Sequence, residues 1–82
     1  MSNMDKLKDL MVDVFLIDPS EFNLDLRREH VQTWDSLGVV SLAAGVHETF
    51  GYHFSQEEAL GVHGVADVIA ILERNGVRFG DV

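Results

Sequence analysis

The stretch WDSLGVVSLAAGVHETFG, residues 34–51, decides the fold. A carboxylate and a small hydroxyl residue, Asp35 and Ser36, stand at its mouth, and both types favour helix N-termini. Behind them Val39, Leu42, Ala43, Val46 and Phe50 fall on one face at 100° per residue, the mark of an amphipathic helix with a core side. Gly51 follows as a stop signal. The spacing predicts a helix over Ser36–Phe50. Leu37, Val40 and Ala44 form a second apolar strip, more than a quarter-turn from the core face, with Ser41, Gly45, Glu48 and Thr49 between and beyond. Gly38 and Gly45 each cost about 1 kcal/mol relative to alanine inside a helix. They fit either tolerated weakness or the close approach of a partner backbone.

Upstream, Met4, Leu7, Met11, Val14 and Phe15 recur at three- and four-residue steps and predict a first helix over 3–17, with Ser2 as cap. Asp18-Pro19 is expected to end it, because proline disfavours α geometry in the residue before it. Residues 19–35 form a long connection for so small a chain. Phe22, Leu24 and Leu26 alternate with polar residues, but no second strand is available to pair with them. An extended loop is expected, pinned to the core by Phe22, Leu24, Leu26, Val31 and Trp34. Downstream, Ser55 and Glu58 have capping-box spacing and open a short helix ending near Gly61. Val65, Val68, Ile69 and Leu72 mark a last helix, with Gly64 a weak cap and Gly76 just past its end. Residues 77–82 read as a frayed tail. The predicted fold class is all-α: three main helices and one short one, with a long loop between the first two, packed as a bundle.

Eighty-two residues fit one domain spanning 1–82. The absence of cysteine removes disulfides and thiolate metal sites. A net charge of −8, from 14 acidic and 6 basic residues, repels phosphate backbones and argues against nucleic-acid binding. The longest mostly apolar run, 37–46, is too short for a bilayer, and no membrane partner is expected. Without a basic and apolar leader at the N-terminus, cytoplasm is the expected compartment. His30, His47, His53 and His63 lack metal-pair spacing, so no metal site is predicted. A triad of Ser36 with Asp35 and His30 or His63 has poor geometry, because Asp35 is adjacent to Ser36. No catalytic residue is predicted. Arg27-Arg28 reads as a solvated basic spot.

Asp35-Ser36-Leu37, followed by Phe50-Gly51 and a capped short helix, resembles the attachment site of acyl carrier proteins. The resemblance covers the layout of the whole chain and is specific at residues 35–37. It implies that Ser36 bears a covalent 4'-phosphopantetheine arm, whose thiol carries acyl cargo as a thioester. A phosphopantetheinyl transferase using magnesium and coenzyme A would attach the arm, with Asp35 placing the magnesium or docking the transferase and Leu37 on the same surface. The positive end of a helix tolerates the resulting phosphodiester. Acyl-loading, condensing or modifying enzymes are the further partners implied. Their docking ridge would comprise Leu37, Val40, Ser41, Ala44 and Glu48, an apolar centre with a polar rim. A monomer is the expected state, since a carrier visits several enzymes in turn.

The chain departs from the family pattern in two places. Peptidyl carriers usually place two glycines ahead of the serine, with His or Asp between. Here Thr33-Trp34 stands there, which favours acyl over aminoacyl cargo. The family's second helix usually carries several acidic residues, but positions 38, 41, 47 and 49 are Gly, Ser, His and Thr. Docking is expected to depend more on apolar fit than on charge. That leans toward a dedicated polyketide or other specialised pathway over housekeeping fatty acid synthesis. Fatty acid carriers shelter the acyl chain in the bundle, and Val39, Leu42, Val46, Phe50, Leu60 and Ile69 are either such a lining or plain core. The alternative to a carrier is a small acidic helical adaptor that binds a partner through Leu37, Val40 and Ala44, with Ser36 only a helix cap.

Overall fold

A computed structural model describes residues 2–79. Four α-helices, α1 (Asn3–Phe15), α2 (Ser36–Phe50), α3 (Gln56–Gly61) and α4 (Val65–Arg74), are present, with no strand among the described residues. The all-α expectation holds, with three main helices and a short third one. Their apolar faces meet in one core, in which Leu7, Met11, Leu42, Val46, Val62, Val65, Val68 and Leu72 are fully enclosed.

Helix α1 begins as its sequence dictates, with the Ser2 hydroxyl accepting from the Asp5 N–H. It ends two residues earlier than the proline rule places it. Leu16 adopts a left-handed conformation, φ 57°, which costs a non-glycine residue about 1–2 kcal/mol. This turns the chain after Phe15 and leaves the Leu16 side chain exposed. Asp18-Pro19 instead starts a 3₁₀ turn over Pro19–Glu21. Asp18 Oδ1 accepts from the Ser20 backbone N–H and hydroxyl, and these bonds, the backbone one foremost, lower its carboxyl pKa.

The connection over residues 19–35 holds a second 3₁₀ turn, Arg28–His30, and is stitched to the start of α4. Arg28 N–H donates to the His63 carbonyl at 2.7 Å and Val65 N–H to the Leu26 carbonyl at 3.0 Å. A Cβ on Gly64 would lie 2.9 Å from that Leu26 oxygen. Glycine precedes α4 because the loop passes against it; the missing side-chain cap is offset in part by Asp67, whose carboxylate accepts from the His63 N–H. Leu26, Val31 and Trp34 are buried and Phe22 packs against the core, as expected of pinning residues, but Leu24 is 54% exposed and pins nothing.

The tail reading changes. Val77 N–H bonds the Leu72 carbonyl and Gly76 N–H the Glu73 carbonyl, the paired bonds of a Schellman motif with Gly76 in the left-handed position at φ 92°. This ending aims Val77 at the core. Phe79 is buried with its ring 5.8 Å from that of Phe50, and Asn3 Nδ2 donates to the Arg78 carbonyl. Residues 77–79 are therefore docked, not frayed; residues 80–82 of the expected tail lie outside the described residues.

Helix α3 carries the capping box read from its sequence. Ser55 accepts from the Glu58 N–H and Glu58 accepts from the Ser55 N–H. The Tyr52 hydroxyl also donates to Glu58 at 2.5 Å. The Ser55 backbone bond, then the Tyr52 bond, hold the Glu58 carboxyl below its usual pKa, and the same carboxylate raises the Tyr52 phenol. Leu60, read from the sequence as either pocket lining or plain core, is 64% exposed on this helix and is neither. It cannot line the interior because α3 is one short turn and a half on the surface. Val39, Leu42 and Val46 are buried, while Phe50 and Ile69 are partly buried against that core.

Both α2 glycines face internal neighbours. A Cβ on Gly38 would collide with the Thr33 backbone oxygen and come within 2.9 Å of Phe15 Cε1; a Cβ on Gly45 would collide with Leu10 Cδ1. The first obstacle is backbone and an enclosed ring, the second the mobile tip of a side chain. Alanine gains about 1 kcal/mol of helix propensity at either site. Overpacking costs typically 1–3 kcal/mol where neighbours cannot yield. Gly38→Ala is expected to destabilise by about 1–2 kcal/mol net and Gly45→Ala to be near neutral, read from urea midpoints at unchanged m-value.

Candidate functional site: the mouth of helix α2

The site is built by what fixes residues 33–36. Trp34 is 2% exposed and lies stacked on Phe15, ring centroids 4.7 Å apart at 19°. The Thr33 hydroxyl donates to the Phe15 carbonyl at 2.6 Å, satisfying one of the carbonyls left open at the end of α1. Arg28 Nε donates to the Trp34 carbonyl at 2.8 Å. Three contacts from α1 and the loop thus hold the peptide on which α2 begins. Burying a tryptophan yields roughly 4–6 kcal/mol from its area. That outweighs the roughly 1–3 kcal/mol lost because the enclosed Trp34 indole N–H has no acceptor among the described residues.

Asp35 is the N-cap of α2. Its Oδ1 accepts from the Gly38 N–H at 2.9 Å, with Asp35 in extended conformation. Ser36 is therefore the first helical residue, and the capping position assigned to it by the adaptor reading belongs to its neighbour. Ser36 is exposed, and among the described residues no hydrogen bond engages its hydroxyl. The expected site residues Asp35, Ser36 and Leu37 stand consecutively at the open, electropositive end of a fifteen-residue helix.

The second apolar strip is uncovered. Leu37 is 78% and Val40 65% exposed, and Ala44, Ser41 and Glu48 are exposed along the same helix. It continues directly from the Ser36 end, so all five residues of the expected docking ridge are accessible. Among the described residues no group of three or more His, Asp or Glu side chains converges to hold a metal. His47 and His53 approach edge to face, centroids 5.3 Å apart. No helix among the described residues is long and apolar enough to cross a membrane.

Sequence reasoning missed Phe15, Arg28 and Thr33 as parts of the site. Arg28 was expected to be solvated; it is half-buried because its guanidinium lies under the Trp34 carbonyl. The one available signal was an arginine pair in a chain with six basic residues. Arg27 does remain exposed, paired with Glu29 at 3.0 Å.

Comparison with known proteins accords with this architecture. No family model matches the chain. It is 31% identical to an acyl carrier protein of Coprothermobacter proteolyticus over 70 residues, covering 85% of each chain. It is 32% identical over 74 residues to an acyl carrier protein of Solidesulfovibrio magneticus, covering 90% of this chain and 95% of that one. An acyl carrier protein of Helicobacter hepaticus is 31% identical over 75 residues, 92% of this chain and 99% of the relative. A small helical bundle with an exposed serine at the mouth of its second helix is the class these features define. The chain belongs to the acyl carrier protein family.

Because Asp35 and not Ser36 caps α2, Asp35→Ala is expected to lower stability by about 1 kcal/mol, a fall in Tm of about 4–8 °C for a chain this size. Asp35→Asn, which keeps an acceptor for the Gly38 N–H, is expected to change Tm by less than half as much in the same thermal scan.

Proposed function

We propose that this chain is an acyl carrier whose Ser36 bears a covalent 4'-phosphopantetheine arm, and that it shuttles acyl groups between enzymes without catalysing a reaction itself. The observation that carries the reading is the free, exposed hydroxyl of Ser36 beside a cap already supplied by Asp35. Such a hydroxyl has no structural task among the described residues and is open to a modifying enzyme. The residues present suit the group. The first backbone N–H groups of α2 and its positive end favour a phosphodiester on Ser36, and Thr33, Trp34 and Phe15 keep the attachment point from moving with the loop. When attached, the arm supplies the thiol on which acyl groups are held as thioesters.

A phosphopantetheinyl transferase using magnesium and coenzyme A is the first partner in this reading, with Asp35 and Leu37 meeting it beside Ser36. Acyl-loading, condensing or modifying enzymes then dock on Leu37, Val40, Ser41, Ala44 and Glu48. The exposure of that strip supports the assignment. The scarcity of acidic residues on α2 supports a dedicated polyketide or other specialised pathway over general fatty acid synthesis. A monomer working in the cytoplasm fits a carrier that meets several enzymes in turn. The adaptor reading draws on the same exposed strip, but its premise that Ser36 serves as the cap is lost to Asp35.

Incubation with coenzyme A, magnesium and a broad-specificity transferase is expected to raise the intact mass by one arm. Ser36→Ala is expected to show no gain at an unchanged circular dichroism spectrum. An unmodified wild-type chain beside a modified control carrier would return the adaptor. For docking, Val40→Asp on the loaded carrier is expected to weaken transfer to its partner by tenfold or more at unchanged Tm. Raising salt from 50 to 500 mM is expected to weaken partner binding less than about threefold, since apolar contact is little screened; a steep salt dependence would redirect docking to charge.

A further inference from the structure

One cationic group in the loop that leads to Ser36 is left unaccounted for. A cavity of about 390 Å³ is lined by Arg27, Arg28, Glu29, Trp34 and His63. Two of the six basic residues of a chain with net charge −8 meet there. Arg27 is paired with Glu29. Arg28 is half-buried, yet among the described residues no carboxylate lies within ion-pair distance of it. In a chain with 14 acidic residues, an uncompensated, partly enclosed guanidinium is a cost unless an anion meets it. Of its five N–H donors, Nε is spent on the Trp34 carbonyl at 2.8 Å, and among the described residues the Nη groups donate to nothing. That Nε bond also orients the fork, which stands by the backbone two residues before Ser36. Two trans peptide units place the Ser36 Cα within about 7.6 Å of the Trp34 Cα.

We infer that the Nη groups of Arg28 bind the phosphodiester through which the arm joins Ser36, closing an anion site whose other half is the start of α2. The inference rests on the attachment reading above. A phosphodiester carries one negative charge and two free oxygens, which match the planar fork of an arginine. The first N–H groups of α2 approach such an anion from the helix side, and Arg28 from the loop side. Asp35 pushes the other way: its negative carboxylate, bonded to the Gly38 N–H, occupies one of the amides that would serve the phosphate, so a cation on the far side has more to offset. The consequence is mechanical. An arm anchored only at the serine oxygen swings about that bond; an arm whose phosphate is clasped by Arg28 leaves α2 in a set direction.

The test uses the full chain, unmodified and arm-bearing, with intact mass reporting attachment and ¹⁵N spectra reporting the arginine side chains. Attachment of the arm is expected to shift the Arg28 Nε–H signal and slow its exchange with water, while Arg78 is unmoved. In the arm-bearing protein the ³¹P signal is expected to move in Arg28→Gln but not in Arg78→Gln. Arg28→Lys, which keeps the charge without the fork, is expected to restore part of that shift. The fluorescence of Trp34, the single tryptophan, checks that each variant keeps the loop in place. Should Arg28→Gln unfold, the wild-type comparison alone decides the matter. A mass gain with unchanged Arg28 signals would overturn this inference and leave the attachment reading standing; no mass gain at all would overturn both. Equal Arg28 shifts on adding coenzyme A or inorganic phosphate to the unmodified chain would also overturn it, by marking a site for free phosphate.

Discussion

The face-to-face contact of Phe15 with Trp34 is the constraint on which the site depends. It ties the last residue of α1 to the residue that precedes the cap of α2, across a connection of twenty residues. Long loops cost conformational entropy that surface contacts rarely recover. Here one large buried aromatic, the Thr33 hydroxyl on the Phe15 carbonyl and the Arg28 Nε–H on the Trp34 carbonyl act at the same point. Their combined effect is to fix where α2 starts. A shift of one residue would expose Trp34, move the cap off Asp35 and turn Ser36 away from the helix mouth.

That junction also explains why α2 tolerates poor helix formers. Gly38 lies where the Thr33 backbone and the Phe15 ring come against the first turn. Any larger residue would push α2 off the stack. Gly45 lets Leu10 of α1 pack against the helix further along. The glycines therefore serve the contact between α1 and α2, and an approaching partner backbone is not needed to account for them. The propensity lost at these positions is returned as closer packing, a trade that tertiary contact commonly wins over local preference.

What was legible in the sequence follows from which signals are local. The apolar spacing of α2, the Ser55–Glu58 box and the Gly51 stop depend on neighbours within four residues, and each stands as the pattern implies. The strip formed by Leu37, Val40 and Ala44 was readable as off-core for the same reason. The left-handed Leu16 was not legible, because nothing about leucine signals it; the turn is imposed by the need to bring Phe15 under Trp34. Gly64 looked like a weak cap because the backbone it accommodates, Leu26, is 38 residues away. Phe79 looked like tail because its partner, Phe50, lies across the bundle. Arg28 looked solvated because its acceptor is a backbone carbonyl, which carries no sequence signature. Within the candidate site, the three residues at the helix mouth and the pinning Trp34 were readable, and the supports from Phe15, Thr33 and Arg28 were not.

The distribution of exposure then separates what holds the molecule from what it offers. All the large apolar side chains that stay fully enclosed come from the core faces of α1, α2 and α4 and the segment after α3. Leu37 and Val40 do not share that fate, although they flank buried Val39 on the same helix. A bundle this small has no second layer to cover them, and burying them would require turning α2 about its axis. The stack on Phe15 and the Gly38 contact forbid that turn. The same interaction that fixes Ser36 at the helix mouth thus keeps an apolar ridge in solvent beside it, so the proposed attachment point and the proposed docking surface are set by one constraint. Exposed apolar area of this kind has a cost in solubility, and the charge of −8 offsets it by keeping like molecules apart.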